Sequence, residues 1–243
     1  QRRYWEPRYE MTQVKGDSET HPTLSPDDPF ADFETWDDGN ITLTTAKEPK
    51  MLPYEYARSA LGLGLAHREK LGINPFDFGM IGSSDIHTAL TTTEEDNYFG
   101  KFIHDGPAAG RTELKMAGQL QKIWRMVSSG LAGVWSTHNT REAIFDAMLR
   151  KEVYATTGSR IRVRFFAGWD FDDAALQDSQ WTQKGYAQGV PMGGQLPATQ
   201  DTNLAPTFMI KAQKDPNAAH LDRIQIIKGW LDDDGNSQEH NKP

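Results

Sequence analysis

The sequence contains no cysteine, which excludes disulfides, thiolate nucleophiles and thiolate-ligated metal sites. No apolar run reaches the roughly 18 residues that a membrane-spanning helix needs. Positive charge is short: 26 Lys and Arg against 34 Asp and Glu leave a formal charge of −8. The chain as a whole therefore does not attract nucleic acid or anionic membrane. A dinucleotide fingerprint is missing, because Gly62-x-Gly64 lies inside a helical stretch with no strand before it. The GVPMGG run lacks the Lys-Ser/Thr of a phosphate-binding loop. No internal repeat is visible. The lack of cysteine leaves the compartment open, export from a bacterial cell included.

What is present suits a soluble, packed protein. The 243 residues include eleven Phe and seven Trp, too many large apolar side chains for a disordered segment and enough to build a core. Residues 9–14 (YEMTQV) read as a strand, followed by an irregular stretch rich in Pro, Asp and Ser. Phe30, Phe33 and Trp36 are expected to pin that stretch down. Residues 53–71 predict a helix, with Pro53 in its first turn, a stripe of Tyr54, Ala57, Leu61, Leu65 and Ala66, and Gly72 as its stop. Residues 76–82 then read as a buried strand, so this region predicts a β/α unit with a parallel sheet. A helix is expected over 112–127 and a short strand or turn at SSGLAGVWS. A further helix is expected from about 140 to 151, opened by an Asn139…Glu142 capping-box pattern, with Ile144, Ala147 and Met148 inward.

The texture changes near residue 153. Residues 153–156, 160–166, APTFMIKAQ and LDRIQIIKGWL read as strands, and 167–205 as loops. In RIRVRFF, Ile161, Val163 and Phe165 share one face and Arg160, Arg162 and Arg164 the other. Three guanidinium groups in a row can grip phosphate. The favoured reading is a solvated face paired with the abundant acids. The fold class is α/β, with an α/β region at 1–152 and a β-rich, antiparallel region at 153–243.

The chemistry-bearing pattern is GMIGSSDIHTAL at 79–90. Small and apolar residues run into Asp85-x-His87, two divalent-metal ligand types that share a face when the backbone is extended. A second pair, Glu19 and His21 in KGDSETHP, sits after the first strand with Lys15 beside it. Its alternative is a polar loop pinned by Pro22. Lys15 can neutralise an anionic substrate, and His104 lies close enough in sequence to His87 to join such a site. The remaining histidines read as ordinary surface or core residues.

GMIGSSDIHTAL resembles the last metal-binding motif of the PHP (polymerase and histidinol phosphatase) superfamily of metallohydrolases, in which a strand runs into Gly-Ser-Asp-x-His. Together with QVKGDSETHP and FDAMLRKEVYATTGSRIRVRFFAGWDF, it is similar to the bacterial domain-of-unknown-function family 3604. The resemblance implies a distorted β/α barrel, in which 1–152 would be the C-terminal part of the barrel and 153–243 an accessory region. It also implies divalent metal ions (zinc, manganese or magnesium) held by Asp85 and His87, with Glu19 and His21 as further ligands. Lys15 and His104 would contact a small-molecule phosphate or related ester. The His-x-His motif that opens PHP proteins is absent here. The chain is accordingly expected to be the C-terminal half of a longer hydrolase, either lacking its N-terminal half or self-associating. The competing expectation is a non-catalytic β-rich binding or structural module.

Overall fold

A computed structural model describes residues 1–243 apart from 41, 43, 115–124, 127–129, 200, 202 and 243, and apart from the side chain of Glu95. It is a mixed α/β structure with small sheets, and no closed barrel forms among the described residues. A short helix α1 (Arg2–Trp5) leads into strand β1 (Arg8–Gln13), which pairs with the two-residue strand β2 (Gly16–Asp17). On its other side β1 runs parallel to strand β3 (Gly79–Gly82), Arg8 lying opposite Gly79. Helix α2 (Ala57–Leu71) connects them, so the expected β/α unit is present.

Helix α2 starts four residues later than its apolar pattern predicts. Pro53 belongs to a preceding 3-10 turn, Pro49–Tyr54. The first helical N–H groups, of Ala57 and Arg58, donate to the carbonyls of Ser18 and Glu19 at 2.9 and 3.0 Å. The loop after β2 thus caps the helix with main-chain atoms in place of a capping side chain. Gly72, at φ +75°, ends it by donating to Arg68 O. The closely packed face is glycine rather than leucine: Tyr54 is 79% exposed, whereas Ala57, Gly62 and Gly64 are buried.

Strands β4 (Leu131–Val134) and β5 (Val153–Thr156) form an antiparallel pair, with helix α3 (Arg141–Leu149) between them in sequence. The boundary expected at 152/153 falls between these two partners. Thr140, not Asn139, caps α3, its side chain accepting from Ala143 N at 3.3 Å. The pair is tied to the first sheet by Gly130 N donating to Ser83 O and by Thr12 Oγ1 donating to Thr156 O, both at 3.1 Å. The approach requires Gly82, since a Cβ there would lie 2.6 Å from Leu131 O. Of the helix expected over 112–127, residues 115–124 and 127 lie outside the described residues.

The last third is antiparallel, as expected. Strand β6 (Arg162–Gly168) is flanked by β7 (Gly189–Pro191) and β8 (Thr207–Gln213). A hairpin of β9 (Ile226–Leu231) and β10 (Ser237–Lys242) follows. Helix α4 (Trp181–Gln188), inside the stretch read as loop, and the polar strand β10 were not legible in the pattern. On the side of β6 that carries the arginines, Arg160 and Arg162 are exposed as expected, and burial begins beyond them at Phe166. Phe166 and Met209 lie opposite each other there and pack with Phe171, Ala175 and Trp181. Arg160 has Glu94 at 3.8 Å, whereas the Arg164 guanidinium lies over rings, 4.1 Å from the Trp135 centroid and 5.2 Å from that of Tyr186. The Ile161, Val163 and Phe165 face instead walls an apolar groove of about 970 Å³. In the early loop, Phe30 and Phe33 are about half exposed. Only Trp36 packs inward, against Val14 and Met126.

Candidate active site

Chain direction at the end of β3 builds the site. The strand stops at Gly82, so Asp85 and His87 lie in the loop beyond it rather than on a pleated face. Their side chains converge because Asp85 takes a left-handed backbone conformation, φ +52°, which Asp tolerates better than most residues. His87 Nε2 comes to 3.1 Å from Asp85 Oδ1. The segment after Gly100 closes over the pair. His87 N donates to Lys101 O at 2.8 Å, and Lys101 Nζ donates to Asp85 O at 2.7 Å and also to Asp85 Oδ2. Lys15 Nζ reaches the same Oδ2 from the β1–β2 turn.

Two ammonium groups on one carboxylate set the electrostatics. Burial pushes the Asp85 carboxyl upward, but the hydrogen bonds from Lys101, Lys15 and His87 outweigh it and hold the group well below the ordinary aspartate range. Lys101, 3% exposed, is lowered mainly by desolvation, with the bond to Asp85 opposing and the charge of Lys15 adding to it. The sequence reading missed Lys101. The only available signal was its placement between Gly100 and Phe102, an aromatic setting in which a lysine stem can be buried.

An aromatic row extends the site. The His87 ring meets Phe102 edge-on at 4.7 Å, and His104 stacks on Phe102 at 5.4 Å. Phe102 N donates to the buried carboxylate of Asp105, whose other oxygen lies 3.2 Å from His104 Nε2. His104 thus joins the Asp85–His87 neighbourhood through a ring rather than through a shared ligand.

Glu19 and His21 are held elsewhere. Arg58 donates to Glu19 Oε1 from Nε and Nη2 at 3.0 and 2.6 Å. The same guanidinium lies 2.8 Å from Asp28 and 3.0 Å from Glu239. His21 Nδ1 accepts from Thr23 N at 3.1 Å, which leaves Nε2 as the protonated nitrogen facing Asp37 Oδ2 at 3.1 Å. Nearby, burial is the main cause that pushes the Asp17 carboxyl up to about 7. Among the described residues no group of three or more His, Asp or Glu side chains is placed to hold one metal ion. Of the four expected ligands only Asp85 and His87 meet each other; Glu19 is held by Arg58 and His21 by Asp37.

The Asp85–His87 pair is joined by a hydrogen bond, so an ion held by both would have to replace the proton between them. Two donors about 2.1 Å from one ion stand about 3.0 Å apart in an octahedron and about 3.4 Å apart in a tetrahedron, and the observed 3.1 Å lies between. The fit is partial: two donors are in place, and Lys15 and Lys101 hold the other carboxylate oxygen.

No curated protein and no solved structure matches the chain. The family described as Protein of unknown function (DUF3604) matches over residues 1–241. With nearly its whole length covered, the chain belongs to the DUF3604 family.

Proposed function

We propose that the chain carries part of a metal-dependent hydrolytic centre of PHP type, acting on phosphate or related esters, with Asp85 and His87 as metal ligands. The observation that carries this reading is the convergence of His87 Nε2 and Asp85 Oδ1 to 3.1 Å, in the loop by which a Gly-Ser-Ser-Asp-Ile-His sequence leaves the parallel strand β3. A divalent ion at these donors would supply a hydroxide at neutral pH and neutralise charge on the ester oxygens. The chain's own residues contribute three further functions. Lys15 and Lys101 bring positive charge to the side of the pair where an oxyanion would lie. Phe102 orients the His87 ring and shields one side of it from water. His104, largely exposed on the far side of Phe102, lies within reach of a substrate entering from solvent. Glu19 and His21 complete the set only if Arg58 and Asp37 release them.

The alternative is a non-catalytic module in which Lys15 and Lys101 are the permanent counter-ions of Asp85. Metal content decides between them. Protein purified without chelator is expected to retain zinc, manganese or magnesium, and Asp85→Ala/His87→Ala is expected to weaken retention by about tenfold or more. Metal-dependent hydrolysis of an aryl phosphate is expected to fall with it. Unchanged metal content and melting temperature in the double variant would establish the non-catalytic reading.

A further inference from the structure

A cleft of about 480 Å³ opens beside this centre, between β1, the β1–β2 turn and the segment running through 36–56. That volume is within the range of small-molecule sites. Its walls combine two kinds of group. Trp36 and the exposed Tyr54 supply rings, Tyr56 being buried, and Glu10, Gln13 and Asp17 supply planar hydrogen-bonding ends. Tyr54, 79% exposed, presents its ring to solvent at the edge of the cleft. Rings for the C–H face of a ligand, set beside carboxylates and amides for neighbouring hydroxyls, suit a polyhydroxylated ring.

The charges give the cleft a direction. Glu10, Asp17 and Glu55 line it against two lysines, and one of these, Lys47, is tied to Glu55 at 2.7 Å. An anionic ligand body is disfavoured among those acids. Lys15 is different, because it lines the cleft while its ammonium group lies on Asp85. A negative end is therefore best accommodated beside Lys15, the lining residue that also reaches Asp85.

We propose that this cleft binds a monosaccharide ring carrying a tetrahedral anionic ester, with the ring beside Trp36 and Tyr54 and the ester directed along Lys15 toward Asp85. This deepens the hydrolytic reading and rests on it for the fate of the ester, whereas binding stands apart from it. Titration calorimetry on the whole chain tests the assignment, using hexose 6-phosphates, hexose 6-sulfates, the parent hexoses and inorganic phosphate. The hexose esters are expected to bind at least about tenfold more tightly than either the hexose or phosphate alone, and the stronger of the two esters identifies the anion. Tyr54→Ala, at an exposed ring, is expected to weaken hexose-ester binding about threefold to tenfold and to leave phosphate binding unchanged. Lys15→Met is expected to remove the advantage of the ester over the free hexose. Hexose esters that bind no better than phosphate, or that bind Tyr54→Ala as well as the unaltered chain, overturn the proposal even if an aryl phosphate is hydrolysed. Tyr54-dependent binding without any metal-dependent turnover would instead uphold it and remove the hydrolytic reading.

Discussion

At the scale of single residues, the structure turns on a few buried polar groups whose partners come from distant parts of the chain. Glu152 is 3% exposed and is held by Arg150 Nε at 2.8 Å and by the Tyr186 hydroxyl. Arg164 Nη2 in turn donates to that hydroxyl at 2.8 Å. Tyr186→Phe keeps the ring packing on Phe166 and removes both bonds. It is expected to lower the unfolding free energy by about 1–3 kcal/mol, read from denaturant midpoints, while Tyr54→Phe at the exposed ring changes it by less than about 0.5 kcal/mol. Gly16 belongs to the same scale. It sits at φ +95°, and a Cβ would lie 2.1 Å from Glu34 O. Gly16→Ala is therefore expected to destabilise by more than about 1 kcal/mol, a loss visible in the melting temperature.

At the scale of elements, the attachment of the β9–β10 hairpin to α2 is the clearest dependency. Gly62 lets Ser237 approach the helix. Arg58 on α2 joins Glu239 of β10, Glu19 and Asp28, and Gln225 before β9 donates to Asp28 at 3.0 Å. Desolvation pushes the Asp28 carboxyl up. The bonds from Gln225, Phe30 N and Arg58 outweigh it, so the folded value lies below the ordinary one. A depressed carboxyl contributes stability that is complete above its unfolded value near 4 and is lost as pH falls through the lower folded value. The hairpin is thus expected to loosen below about pH 4, seen as faster amide exchange in β9 and β10. Asp28→Asn is expected to show that faster exchange already at pH 7.

At the scale of the whole molecule, an apolar groove lies open among the described residues. The groove walled by Val163, Phe165, Phe208 and Ile210 faces Ile224 and Ile226 across about 970 Å³, and Phe208 and Ile224 are each 45% exposed. Surfaces of this kind bind apolar dyes. The folded chain is expected to enhance the fluorescence of an anilinonaphthalene dye in native buffer, aided by Lys228 and Lys242 at the rim. Phe208→Ser is expected to reduce that signal while the melting temperature falls by only a few degrees.

The sequence by itself determined what is local. The run from Tyr9 to Gln13, the helical period ending at Gly72, the apolar approach to Gly82 and the alternation in β6 each follow from short-range backbone preferences, and each element formed. The closeness of Asp85 and His87 was legible, but the extended face expected to carry them is replaced by a loop in which a left-handed Asp85 brings the side chains together. Tertiary structure decided where β6 becomes buried, because Phe166 needed α4 and the 171–175 segment to cover it, and periodicity does not say which side a partner will occupy. It also decided the company of Asp85: Lys15 and Lys101 are 70 and 16 residues away. Long-range charge pairing depends on how separate loops are brought together by packing, and that leaves no periodic trace in the chain.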